Sequence, residues 1–193
     1  MTNLIALLYG AFCVRSSLLI NQLTKEIENC PSECFVVSKK FEILKRKTKI
    51  DEILNGIENV FSLPSFLIII ANLSTCACIL ALYLRVDEWE GNLNLSFIDW
   101  TFYVLNSSAC LIIMLWTAGG IPIQERRFKD VFYQKSQSRM ICTGYLKENR
   151  VERWLFDKPD FSFTGCGILS YRRSTLFAVA GTLITYTMLV ANV

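Results

Sequence analysis

An amide side chain, Asn192, sits near the close of a 20-residue run that follows Arg173 and carries no charge. The same run holds a Thr185-Tyr186 pair, then five mostly apolar residues, Thr187 to Ala191. At ~1.5 Å rise per residue, a helix of this length crosses ~30 Å of hydrocarbon. A polar amide in a spanning helix is costly unless it faces protein or water. The segment is therefore a candidate pore or pathway element. Other chemistries find little support. The sequence has no histidine, which argues against a histidine metal site or a histidine general base. Eight cysteines are present. Cys76, Cys78 and Cys110 lie in apolar runs, where cysteine acts as a small hydrophobe. Cys30 and Cys34 flank Pro31-Ser32-Glu33 without two further ligands nearby. They are expected to be free cytosolic thiols, with a metal site or a disulfide as the alternative. The chain has no phosphate loop, nucleophile elbow or paired Cys-x-x-Cys motif. The apolar runs hold no cluster of ionisable groups, so no enzyme, metal or cofactor is expected. A secondary transporter would show internal repeats with broken spans, and none is found.

The elements that must carry the terminal run follow from composition. Hydrophobic residues make up 52% of the 193 and charged residues 19%, against roughly a quarter charged in soluble domains. Apolar residues concentrate in charge-free blocks at 59–84, 100–124 and 174–193, with a shorter one at 1–14. Runs of about 18 or more such residues indicate membrane spans. The expected fold is all-α: a multi-span helical membrane protein with long cytosolic helical extensions. Leu4 to Val14 also resembles the apolar part of a signal peptide. No basic residue precedes it and no clear cleavage site follows, so a span is the preferred reading and a cleaved signal the alternative.

Along the chain, residues 1–30 begin as a span and continue as an amphipathic helix, with Leu18, Leu19, Gln22, Leu23 and Ile27 at helical spacing, until Pro31 breaks it. Segment 31–61 is a cytosolic linker and a second amphipathic helix. There Ile50, Ile53, Leu54, Ile57, Val60 and Phe61 form a stripe, opposite a face of Lys45, Arg46, Lys47, Lys49, Asp51 and Glu52. A span at 62–84 follows, with a kink expected at Pro64. Residues 85–99 form an extracellular loop, 100–123 a span ending near Gly119-Gly120-Ile121-Pro122, and 124–173 a polar cytosolic region in which Val151, Trp154, Leu155 and Phe156 suit a short helix. The terminal span is 174–193. Seven Lys/Arg in 21–61 and eleven in 124–173, against one in 85–99, place the first two inside and the C-terminus outside. Asn94 begins a glycosylation sequon in the outer loop, while the sequons at Asn72 and Asn106 fall in spans and are chance matches. A net charge of +3 gives no field for nucleic acid. The Lys45-Arg46-Lys47-Thr48-Lys49 run fits ordinary positive-inside bias, with an anionic-lipid site as the alternative.

The ending Thr185-Tyr186, five residues, Asn192-Val193 resembles the signature that closes arthropod gustatory receptors, where Thr-Tyr is followed by five hydrophobic residues and Gln-Phe. Asn192 stands for the glutamine and Val193 for the phenylalanine. Phe161-Ser162-Phe163-Thr164-Gly165-Cys166-Gly167, with Leu169 and Arg172-Arg173-Ser174, is similar to that family's lead-in to its last helix, and the order of elements also fits. The family has seven spans, so the chain would match the C-terminal half of a tetrameric ligand-gated cation channel. The resemblance implies a plasma-membrane chemosensory protein that detects small organic tastants, as a homo- or hetero-tetramer in the lipid bilayer. It implies that Thr185, Tyr186, Leu189, Asn192 and Val193 lie on or near the pore. Thr185, Leu189 and Asn192 share one helical stripe. The Asn192 carbonyl suits a cation, and Leu189 or Val193 a hydrophobic constriction. It places the ligand pocket toward the outside, where Tyr83, Trp100, Phe102, Tyr103 and Asn106 are available. The same aromatics also suit an interfacial belt. Trp154, Leu155 and Phe156 would pack in the anchor region where subunits assemble. The competing expectation is a truncated, membrane-anchored subunit that joins full-length receptors without conducting.

Overall fold

The computed structural model describes residues 2–84, 93–143 and 159–191. Four helices account for most of them: α1 (Thr2–Asn29), α2 (Val37–Leu84), α3 (Leu93–Thr143) and α4 (Arg173–Ala191). A 3-10 turn at Ser32–Cys34 follows Pro31, whose ring ends α1. Two short strands, β1 (Thr164–Gly165) and β2 (Leu169–Ser170), pair antiparallel just before α4. The fold is all-α with this one small hairpin among the described residues.

The core positions recur every three or four residues. On α1 they are Ala6, Tyr9, Cys13, Ser16, Ile20, Leu23 and Ile27. On α2 they are Lys40, Ile43, Lys47, Ile50, Leu54 and Ile57. On α3 they are Met114, Ala118, Ile121, Glu125, Phe128 and Phe132. That spacing keeps one narrow seam facing the neighbouring helices, the geometry of coiled-coil-like packing. The seams differ in part from the expected stripes. Leu18, Ile53 and Val60 are exposed, whereas Ile20 and Ile43 are buried.

Contacts fix the directions. Asn3 bonds Asn106, Gly10 abuts Ile113 and Glu28 pairs with Arg127, so α1 and α3 run parallel. Lys47 meets Glu125, Asn72 meets Cys110 and Cys76 meets Ser108, so α2 is antiparallel to α3. The apolar parts of all three helices therefore lie side by side at one end, and the charged parts at the other.

Three helical segments, Asn3–Asn29, Val37–Leu82 and Ile98–Ile141, are long and apolar enough to cross a membrane. Their apolar ends keep Leu4, Leu7, Leu67, Ile70, Phe102, Leu105 and Ile112 exposed. Exposed apolar side chains grouped in this way mark a membrane or protein contact surface. The 48 residues of α2 and 51 of α3 reach ~72 Å and ~77 Å at ~1.5 Å per residue. Each is more than twice the ~30 Å of a hydrocarbon layer.

Neither internal proline ends its helix. Pro64 lies inside α2 and Pro122 inside α3. The chain thus continues as helix past Gly119-Gly120-Ile121-Pro122, and the first 20 residues of the expected polar connection are the second half of α3. A proline removes one backbone donor. Around Pro122 the seam residues Ala118, Ile121, Glu125 and Phe128 stay buried on both sides, so packing holds the two halves in one helix.

Candidate functional site

The start of α4 is built by the hairpin. Ile168 N–H donates to the Gly165 carbonyl at 3.0 Å, and Tyr171 N–H to the Phe163 carbonyl at 2.8 Å. Gly167 takes φ +70, the left-handed region that favours glycine. Gly165 has a different role. A Cβ there would lie 2.5 Å from the Tyr171 hydroxyl and 2.9 Å from Phe66 Cδ2, so only hydrogen fits.

The hairpin is fastened to α2 by polar bonds and to α1 by rings. The Glu58 carboxylate accepts the Thr164 hydroxyl at 2.6 Å and its N–H at 3.2 Å. The Ser62 hydroxyl donates to the Thr164 carbonyl and accepts Cys166 N–H, both at 2.9 Å. Tyr171 and Ser65 hydroxyls bond at 2.9 Å. Burial raises the Tyr171 phenol above its ordinary range, and the Ser65 bond opposes that shift. Tyr9 lies at the centre of the aromatic cluster, 5.6 Å from both Phe61 and Phe163 and 6.4 Å from Tyr171, edge-on to the last two.

From this collar α4 emerges in a defined place. The Thr175 hydroxyl donates to the Ser170 carbonyl at 2.8 Å and accepts Arg172 N–H at 3.4 Å, joining β2 to the first turn. A Cβ on Gly119 would stand 2.7 Å from Arg173 N, so α3 and the α4 backbone touch there. The Arg173 guanidinium stacks on Trp116 at 4.2 Å.

Beyond its first turns, α4 leaves most of its surface uncovered. Thr185, Tyr186 and Leu189 are exposed, as are Phe177, Ile184 and Met188. Thr185 spends its hydroxyl on the Gly181 carbonyl at 2.9 Å. Thr187 is half-buried. Asn192 and Val193 lie outside the described residues.

The expected ligand residues are only partly gathered. Asn106 lines a cavity of about 150 Å³ between α1 and α3, with Asn3, Ala6, Leu7, Cys110 and Ile113. Its side-chain oxygen accepts the Asn3 amide at 3.2 Å. Phe102 and Tyr103 are exposed on α3, and Trp100 is half-buried. Tyr83 belongs to the last turn of α2. Trp100, Phe102 and Tyr103 do not line the Asn106 cavity, and the side chain of Tyr83 lies outside the described ones. Trp154, Leu155 and Phe156 lie outside the described residues.

The site that residue types concealed is at the charged end. Lys47, assigned from sequence to the charged face opposite the apolar stripe of its helix, is buried. Its ammonium bonds Glu125 at 2.7 Å and also Asp51. Glu125 is itself buried and also accepts Phe161 N–H, which ties the strand-side segment to α3. Both charges occupy seam positions, and that spacing was the available signal. Cys30 is half-buried and Cys34 exposed, with no disulfide, and no group of three potential metal ligands occurs among the described residues.

No family model matches the chain, and no characterised protein matches it in sequence.

Proposed function

We propose that the chain is a pore-forming subunit of a ligand-gated cation channel of the gustatory-receptor type, which detects small organic compounds at the plasma membrane. The observation that carries this reading is α4: a helix without charge after Arg173, whose base is clamped on α2 and α3, while Phe177, Ile184, Tyr186 and Leu189 stay exposed. An apolar helix held in this way is suited to meet copies of itself around an axis. Thr185 and Leu189 share one side, the side that would line a pore together with Asn192. Leu189 then supplies a hydrophobic constriction, which closes by dewetting. The cavity at Asn3 and Asn106, apolar with two amides, has the character of a small-molecule site.

Whole-cell recording tests this. Cells expressing the protein are exposed to panels of sugars, amino acids and alkaloids, and their resting conductance is compared with that of Leu189→Ala. An evoked cation current, with a raised resting leak in Leu189→Ala, supports the channel. Currents that appear only with a coexpressed full-length receptor favour the assembly subunit instead. No current in either arrangement, with Leu189→Ala as silent as the wild type at equal surface expression, sinks the proposal.

A further inference from the structure

Where α4 leaves the collar, it shares a cavity of about 540 Å³ with α3. Arg126, Arg172 and Arg173 line it, together with Asp160, Ser162 and Ser174. The three guanidinium side chains are exposed. The one carboxylate, Asp160, is already paired with Lys129 at 2.8 Å. The cavity therefore presents an excess of positive charge, plus two hydroxyls. Guanidinium forks hold phosphate oxygens by paired, charge-assisted bonds.

The depth of the cavity points to the source of the phosphate. The charge-free block of α3 ends at Gln124, two residues before Arg126, and that of α4 begins at Ser174, directly after Arg173. Arg173 abuts Gly119, five residues or ~7.5 Å before the α3 block ends, so the two apolar runs stop within about one and a half turns of each other and the arginines stand near that boundary. Trp116, stacked under Arg173, is a residue that favours the headgroup boundary. Exposed Ile123 lines the cavity, and exposed Phe177 follows three residues after Ser174 on α4, the side on which acyl chains would lie. A free phosphate would use the arginines alone. A phospholipid would use the arginines and these apolar side chains together.

We infer that this cavity binds the phosphate of an anionic phospholipid headgroup, and that the bound lipid braces the base of α4 against α3. The inference needs the chain in a bilayer but does not need it to conduct.

Binding to the purified protein in neutral detergent tests it, by native mass spectrometry with three probes: dioctanoyl phosphatidic acid, dioctanoyl phosphatidylcholine and inorganic phosphate. Phosphatidic acid is expected to bind at least tenfold tighter than either other probe. The Arg126→Gln/Arg172→Gln/Arg173→Gln variant should lose at least tenfold, while Lys25→Gln, exposed and outside the cavity lining, should bind as the wild type does. Arg126→Gln alone, an exposed change, should lose at least threefold, and it decides the matter if the triple variant misfolds. Equal binding of phosphatidylcholine, or unchanged binding in the arginine variants, overturns the site. Inorganic phosphate binding as tightly as phosphatidic acid overturns the lipid assignment in favour of a free phosphate. Because no current is read, the result stands apart from that of the channel experiment.

Discussion

At the scale of single residues, the buried Lys47–Glu125 pair is the most consequential contact in the polar half. Removing Lys47 leaves Glu125 charged in a site closed to water, a loss that typically costs about 3–5 kcal/mol, whereas removing Glu125 leaves Lys47 with Asp51 and should cost less. Replacing both with apolar side chains of similar size removes the charge that either single variant leaves in this pair, although Asp51 still loses its bond to Lys47. Lys47→Met is expected to lower the unfolding midpoint strongly in detergent and Glu125→Leu to lower it less, and the double variant should lose clearly less than the two losses added. Strict additivity would show that the two groups do not interact. This pair was half legible in the sequence. The spacing Ile43, Lys47, Ile50, Leu54 places Lys47 on the seam, but lysine beside Lys45, Arg46 and Lys49 looks like a solvated face. Pairing over 78 residues is invisible to local pattern. Tyr171 gives a second test at this scale. Its phenol titrates higher in the folded chain than the ~10 of an unfolded one. Its contribution is therefore complete below about pH 10 and is lost as pH rises toward the folded value. Tyr171→Phe should cost about 1 kcal/mol at pH 7, for the lost Ser65 bond. It should also show a shallower fall in stability above pH 10 than the wild type, measured on paired unfolding curves. Parallel alkaline limbs would refute that role.

At the scale of elements, adjacent glycines on α3 separate packing from propensity. Gly119 touches the Arg173 backbone, whereas a Cβ on Gly120 would meet nothing within 4 Å. Gly120→Ala should stabilise by about 0.5–1 kcal/mol, the usual helix gain. Gly119→Ala gains the same propensity but must push α4 from α3, so its melting temperature should fall instead. Matching shifts in the two variants would mean that α4 is not seated where the structure places it. Gly165→Ala extends the argument to the hairpin, where the added methyl collides with Tyr171 and Phe66; a loss of about 1–3 kcal/mol is expected, the usual range for overpacking. The helices themselves were legible from charge-free blocks and from Pro31. Their extents were not. Pro122 looks like an interruption because local propensity is all that a sequence window shows, whereas the structure carries the buried seam through it; at Pro64 the helix continues with Phe61 half-buried and Ser65 buried. The hairpin was legible only as punctuation by Gly165 and Gly167, since two residues per strand leave no alternation to detect.

At the scale of the whole molecule, charge and apolar surface are sorted to opposite ends of a three-helix bundle, and α4 is attached where the two zones meet. Glu26 joins Lys39 and Arg46, and Glu28 joins Arg127, all at the charged end. These pairs are partly exposed and individually weak, so they fix register more than stability. The bundle buries its own seams and needs no partner for them. The uncovered side of α4 is different: Leu189 and Met188 are each 63% exposed. In a bilayer such a surface is content with lipid, so exposure alone does not require a second chain. Position decides between lipid and protein, and cysteine chemistry reads position. In a background without exposed Cys34, Cys78 and Cys166, Leu189→Cys should oxidise in native membranes to a disulfide-linked pair of subunits. Thr187→Cys, on the half-buried side with its hydroxyl bonded to Leu183, should give several-fold less. The disulfide needs Cα atoms within about 7 Å, a distance that helices gathered closely around a common axis reach and helices dispersed in lipid do not. Equal and low yields at both positions would leave α4 facing lipid and would remove the pore from the account. A high yield at Leu189 that persists on dilution of the protein into excess lipid would place the contact within a stable assembly and make the helix its centre, whereas a yield lost on dilution would mark random collisions.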